Sequence, residues 1–134
     1  MHTLKLFASA MAIGMALDYV WFSLLASGLY KREISQLLRM SDGAIAPNLW
    51  AALLVYVLIA ALVVLFVVPK ASSLGAAALW GALAGLILYG VYDLTNMSFL
   101  KDWTWAAALP DIAWGTFMVG VLSAALWQLD KALS

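Results

Sequence analysis

Cysteine is absent from this sequence, histidine occurs once, at His2, and charged residues make up only 10% of the 134 positions. The absence of cysteine excludes disulfides, thiolate metal sites and cysteine nucleophiles, and a single histidine excludes a histidine-rich metal centre. Seven Lys and Arg residues balance seven Asp and Glu residues, so the chain has no net positive field that would hold nucleic acid. We therefore expect no cofactor, no metal and no nucleic-acid partner.

Apolar residues, in contrast, are abundant: they make up 66% of the chain and give it a mean hydropathy of +1.00. A soluble domain is typically about 45–50% apolar and about 25% charged. In water this chain would leave most of its apolar surface exposed. The composition therefore predicts an integral membrane protein.

Four apolar stretches are long enough to cross a membrane, since a transmembrane helix needs about 20 such residues. Between the first two, a short amphipathic helix at about 30–40 is predicted to lie in the headgroup plane. The sequence thus predicts an all-α fold, a four-helix bundle that forms a single transmembrane domain over residues 1–134. The predicted spans are at about 4–29, 48–69, 74–98 and 106–128.

The charge pattern does not determine the direction of insertion. Both ends of the chain and the 70–73 link are predicted on one side of the membrane, here called side A. The 30–47 and 99–105 links are predicted on the other side, here called side B. Side A carries three Lys and side B carries four Lys or Arg, which is no clear excess for the positive-inside rule.

A short motif occurs in both the first and the fourth span: Asp18-x-x-Trp21 is matched by Asp111-x-x-Trp114. Two explanations remain open, a duplication that gives two parallel helical hairpins and chance. Each tryptophan lies three residues after its aspartate and so on the same helix face. It would shield the carboxylate or form a cation–π wall.

Three aspartates interrupt the apolar spans, and all three lie in the side-B half. At about 1.5 Å of rise per residue, Asp93 and Asp111 lie roughly 9 and 8 Å from side B, and Asp18 lies about 16 Å from it. No Lys, Arg or His lies at a matching depth to pair with them. Because like charges in one apolar site cannot all ionise, at least one of these groups should carry a proton.

Two interpretations of the aspartates remain. They are hydrogen-bonding groups between helices, worth about 0.6 kcal/mol per contact, or they form a pocket for a cation, an amine or a proton. Because a carboxylate at the bilayer centre costs about 2.5–3.5 kcal/mol to insert, we favour the pocket. The predicted ligand-binding residues are Asp18, Trp21, Asn48, Tyr92, Asp93, Asn96, Asp111 and Trp114.

Within this set, the residues have different predicted roles. Asp93 and Asp111 would bind the ligand, and Asp18 would act as a deeper carrier of the proton or cation. Asn96 and Tyr92 would orient the carboxylates. The third span also carries Gly81-x-x-x-Gly85, a small-residue face that favours close packing against another helix.

The polar motifs carry a family resemblance. Leu17-Asp18-x-x-Trp21, Tyr92-Asp93-Leu94-Thr95-Asn96, Trp103 and Asp111-x-x-Trp114-Gly115 resemble a family of small four-span bacterial inner-membrane proteins of unknown function, with Tyr-Asp-Leu-Thr-Asn as its hallmark. The resemblance runs nearly end to end and implies a multi-pass protein of the cell inner membrane with shared polar positions. It implies no settled activity. The sequence departs from the family at Trp103-Thr104, where members often have Trp-Pro, and at Asn48-Leu49-Trp50.

Three functions remain open at this point. The first, which we favour, is a site that binds or moves a small cationic or proton-coupled ligand. The second is an accessory subunit of a larger membrane complex. The third is a lipid-modifying enzyme with paired aspartates as general acid and base, although no nucleophile with an adjacent base is visible and no catalytic residue is assigned. Besides the lipid bilayer, we expect a homodimer or a larger membrane complex, since four helices barely enclose a pocket.

Overall fold

A computed structural model describes residues 1–134 and contains four helices that are long and apolar enough to cross a membrane. The only other regular structure is a two-residue antiparallel pairing of β1 with β2. The predicted all-α membrane bundle is therefore confirmed. The elements are α1 (His2–Leu37), β1 (Met40–Ser41), β2 (Ala44–Ile45), α2 (Leu49–Lys70), α3 (Leu74–Phe99) and α4 (Trp105–Leu133).

The first helix is longer than the first predicted span. α1 continues without a break into the segment that the sequence predicts as a separate interfacial helix. The reason is an apolar stripe at four-residue spacing, because Ala26, Tyr30 and Ile34 are all buried on one face. At about 1.5 Å per residue, such a helix exceeds the roughly 30 Å of hydrocarbon, so its last turns extend beyond it on side B.

Side-chain caps and one tight turn define where the helices begin and how the links turn. Asn48, Ser73 and Thr104 precede α2, α3 and α4, and each side chain accepts a hydrogen bond from the backbone N–H three residues later. These caps satisfy donors that would otherwise be unpaired at the helix start. Between β1 and β2, Asp42 and Gly43 both have positive φ, as a tight two-residue hairpin turn requires.

Glycines allow α3 and α4 to pack closely. A Cβ atom added at Gly85 would collide with the backbone of Gly115, and one added at Gly115 would collide with the ring of Tyr89. At Gly81 it would collide with Ser123 on α4. The small-residue face predicted on the third span is thus the contact with α4, the most extensive helix contact in the molecule.

The fourth helix is the centre of the bundle, because α4 packs against all three other helices. A larger apolar core from α1, α2 and α4 lies toward side A, with Leu6, Ile59 and Leu122 among its members. A smaller apolar core toward side B includes Tyr30 and Ala107. Along their helices, the intramembrane aspartates lie between these two apolar regions.

Candidate functional site

Three buried carboxyl groups, each from a different helix, form the candidate site. Asp18 belongs to α1, Asp93 to α3 and Asp111 to α4, and their exposed fractions are 6%, 0% and 8%. Asp111 lies within electrostatic range of both other aspartates. We call these three residues the carboxylate cluster.

Each carboxylate oxygen of Asp18 accepts a hydrogen bond. The hydroxyl group of Tyr56 on α2 donates to Asp18 Oδ2 at 2.8 Å. The indole Nε1 of Trp114 on α4 donates to Asp18 Oδ1 at 2.7 Å. Asp18 therefore joins three helices, and its two oxygens each have a donor that favours the charged form.

Asp111 has one strong donor, which comes from the far end of α1. The hydroxyl group of Tyr30 donates to Asp111 Oδ1 at 2.7 Å, and this bond is buried. The indole Nε1 of Trp21 in turn donates to the Tyr30 oxygen at 3.4 Å. Tyr30 thus links Asp111 to the tryptophan of the opposite Asp-x-x-Trp motif.

The two Asp-x-x-Trp motifs pack face to face. The rings of Trp21 and Trp114 are stacked with their centroids 4.9 Å apart and their planes within 4° of parallel. The helices run in opposite directions, because His2 at the start of α1 contacts Asp130 near the end of α4 at 2.7 Å. The motif therefore occurs on two antiparallel helices. In the stacked pair, Trp114 donates to Asp18, and Trp21 donates to Tyr30, which is the donor to Asp111.

Asp93 differs from the other two aspartates because no donor makes a well-formed hydrogen bond to it, although the Trp103 indole N–H lies at the margin of hydrogen-bond range. It is completely buried, and neither of its carboxyl oxygens has a hydrogen-bond partner. Asp111 and the Trp103 indole lie nearby, and the indole N–H of Trp103 is itself buried without an acceptor. The ion pairs of the molecule, His2–Asp130 and Arg32–Glu33, include none of the cluster, so no cation balances Asp93.

Not every residue of the predicted set joins the cluster. Asn96 is half-buried, one turn beyond Asp93. Tyr92 is 55% exposed and packs edge-on against Trp103, with centroids 5.9 Å apart. Asn48 is exposed and caps α2. The structure therefore brings together the three aspartates, Trp21 and Trp114, places Tyr92 within electrostatic range of Asp93 and Asp111 with Asn96 beside it, and uses Asn48 as a helix cap.

Four aromatic residues outside the predicted set belong to the site: Tyr30, Tyr56, Tyr89 and Trp103. Tyr89 lies within electrostatic range of all three aspartates. Two of the four carried a signal in the sequence: Tyr56 bears the only side-chain hydroxyl group of an otherwise apolar second span, and Tyr89 precedes Asp93 by four residues on one face. Trp103 belongs to the motifs that carry the family resemblance but occurs at a predicted interfacial position, and Tyr30 carried no signal.

The cluster combines donors for two carboxylates with none for the third. Two carboxylates that accept N–H and O–H bonds tolerate charge, whereas a carboxylate without donors in an apolar interior does not. No group of three acidic or histidine side chains is arranged to hold a metal ion. Carboxyl groups in such surroundings can gain and lose a proton.

The comparisons with known proteins agree with a membrane protein. A family model described as "Predicted membrane protein (DUF2177)" matches residues 3–127, which include the entire cluster. No curated protein and no solved structure matches the chain.

Proposed function

Because the chain belongs to this family of membrane proteins, whose description assigns no activity, we propose a function from the site: the protein binds a proton at Asp93 and Asp111 and exchanges it for a small cation. On the resemblance given above, we also propose that it occupies a bacterial inner membrane. Asp18 is the deeper carboxylate to which the bound proton or cation passes. In this proposal Asp93 is the primary binding group.

The observation that carries the proposal is the state of Asp93. Its two oxygens are buried without a donor, and no Lys or Arg side chain pairs with the cluster. An ionised carboxylate in such a place costs several kcal/mol, so it takes up a proton or a cation. The neighbouring carboxyl group of Asp111 raises the cost of ionising Asp93 further, because two negative charges repel each other.

Two outer grooves of the bundle bear on the size of the ligand, because neither reaches the cluster. The two outer grooves of the bundle measure about 690 and 510 Å³. Both are lined almost entirely by apolar side chains, and neither is lined by any of the aspartates. Neither groove therefore offers a bulky organic molecule a place at Asp93, whereas a proton, an alkali cation or an ammonium-type cation needs no cavity of that size.

A purely structural role for the aspartates explains Asp93 poorly. Carboxylates that only join helices would each accept a hydrogen bond, as Asp18 does from Tyr56 and Trp114. Asp93 accepts none, so in the described fold it contributes no bond that would offset its burial. We therefore assign ligand binding to Asp93, whereas Asp18 joins helices through its two donors in addition to receiving the proton or cation.

Proteoliposomes that contain a pH-sensitive dye test this function. Methylammonium and Na⁺ are added separately outside, and proton efflux from the lumen is recorded for the wild type and for Asp93→Asn. We expect one of the probes to drive efflux, and we expect the variant to lower its rate at least tenfold.

Asp42→Asn is the matched control, because Asp42 is an exposed carboxylate in the hairpin turn and asparagine accepts the same positive φ. This control should transport like the wild type. Wild-type efflux no greater than in protein-free liposomes, or full efflux by Asp93→Asn, would refute the proposal.

A further inference from the structure

One carboxylate at the side-B surface is tied to the residues that surround the cluster. Glu33, near the end of α1, accepts a hydrogen bond from the Thr104 hydroxyl group at 3.2 Å through Oε2. Its other oxygen, Oε1, accepts from Arg32 Nε at 3.1 Å. The Glu33 side chain is only 21% exposed, whereas that of Arg32 is 71% exposed. Glu33 thus has one side toward solvent and one toward the bundle.

Both neighbours of Glu33 lead directly to the cluster. Tyr30 lies three residues before Glu33 on the same helix, about one turn deeper, and donates to Asp111 at 2.7 Å. Thr104 follows Trp103, whose buried indole N–H lies near Asp93. Tyr30 and Trp103 pack in the same small apolar core on side B. Glu33 is therefore one helical turn from Tyr30, the donor to Asp111, and is hydrogen-bonded to the residue that follows Trp103.

The other acidic residues on side B lack this placement. Asp42 lies in the hairpin turn and Asp102 in the link between α3 and α4, and both are exposed. The acids of the cluster itself are almost fully buried, which slows their exchange of protons with water. A half-buried carboxylate between solvent and the cluster is the kind of group that relays protons.

We propose that Glu33 is the proton-exchange group of the cluster on side B, an inference that rests on the proposed function. A proton from water binds a Glu33 carboxylate oxygen and neutralises it. That proton then passes inward through water to the Tyr30 hydroxyl oxygen as Tyr30 gives its own hydroxyl proton to the Asp111 carboxylate, to which it is already hydrogen-bonded. Glu33 returns to its carboxylate form, Tyr30 is unchanged, and Asp111 holds one proton. Release follows the same steps in reverse.

Infrared spectroscopy after rapid transfer from H₂O to D₂O measures this exchange. The C=O band of a buried carboxylic acid shifts when its proton is replaced by deuterium, so its rate of shift reports access. We expect Glu33→Gln to slow the shift at least tenfold while the intensity of the band stays the same. Glutamine retains an oxygen that accepts from Thr104, so the fold and its thermal unfolding midpoint should be preserved.

Two further variants make the result specific. Glu33→Asp keeps a carboxylate and should restore most of the rate, whereas Asp102→Asn removes an exposed side-B acid and should change nothing. An unchanged exchange rate in Glu33→Gln would overturn the assignment of Glu33. A wild type without any carboxylic acid band that depends on Asp93 would instead refute the proposed function, so the two failures can be told apart.

Discussion

Asp18 and Asp93 have opposite surroundings although they are parts of one cluster. Asp18 accepts two short hydrogen bonds, whereas Asp93 accepts none. A buried acceptor that loses a donor weakens a fold, but a buried group with no partner contributes no bond that can be lost. The two residues should therefore respond differently to the same conservative substitution.

We predict that Asp18→Asn lowers the free energy of unfolding by about 0.6–1.7 kcal/mol, the range of single polar contacts between membrane helices. The amide retains one acceptor oxygen, so either Tyr56 or Trp114 loses its partner. Asp93→Asn should leave this free energy unchanged or raise it slightly, since it removes a group that is costly to bury. Unfolding in mixed detergent micelles measures both, and a larger loss in Asp93→Asn than in Asp18→Asn would contradict the assigned roles.

A double-mutant cycle tests whether Asp18 joins its two donors into a unit. Tyr56→Phe and Trp114→Phe each remove one donor, and we expect each to cost about 0.6–1.7 kcal/mol. Because both donors act on the same carboxylate, the two losses should not add. Strict additivity of the two free energies of unfolding would mean that the donors act independently.

At the scale of elements, the contact between α3 and α4 depends on glycine. A Cβ at Gly85 would collide with the backbone of Gly115, which cannot rotate away. Gly90 lies in the same helix, yet a Cβ there has no atom within 4 Å to meet. The two positions therefore form a matched pair for the same substitution.

Gly85→Ala should destabilise the protein by about 1–3 kcal/mol, the usual cost of overpacking. Gly90→Ala should be neutral or stabilising by up to about 1 kcal/mol, because alanine is the better helix former. Unfolding of the two variants under identical conditions checks this. Equal effects at the two positions would show that α3 and α4 do not approach as closely as described.

The elements also mark the limit of what the sequence predicts. The four spans follow from composition and length alone, since the hydrocarbon thickness fixes how many apolar residues a span needs. The continuation of α1 to Leu37 does not follow, because Lys31, Arg32 and Glu33 end the apolar run without ending the helix. Nor does the π-helical segment Trp21–Ala26, whose extra residue per turn changes the direction of the side chains that follow Asp18.

For the site, the sequence predicts the depth of the aspartates in the membrane but not the side chains that hydrogen-bond to them. The sequence places the three aspartates in one half of the membrane, and the structure brings them together. Which hydroxyl group donates to which carboxylate depends on how the helices are rotated and how they cross. Because the helices are apolar on all faces, their sequences do not indicate this rotation. The positions of Tyr30 and Trp103 in the site are therefore seen only in the folded structure, and Asn48 is a helix cap.

At the scale of the whole molecule, four spans place both chain ends on side A with the link between α2 and α3. The absence of natural cysteine allows clean labelling of single-cysteine variants. Ser72→Cys and Ser134→Cys, both at exposed positions, should react with an impermeant maleimide to the same extent in sealed vesicles. Asp102→Cys should react to the complementary extent, whichever way the protein inserts. Equal labelling of Ser72→Cys and Asp102→Cys, each near completion, would contradict the topology.

The central claim is that Asp93 holds an exchangeable proton inside the membrane. The most direct measurement is the infrared difference spectrum between the wild type and Asp93→Asn, recorded in lipid at neutral pH without and with methylammonium or Na⁺. We expect a carboxylic acid C=O band that Asp93→Asn removes and that an accepted cation diminishes in the wild type. A spectrum in which Asp93→Asn removes only a carboxylate band, with no cation effect, would contradict it.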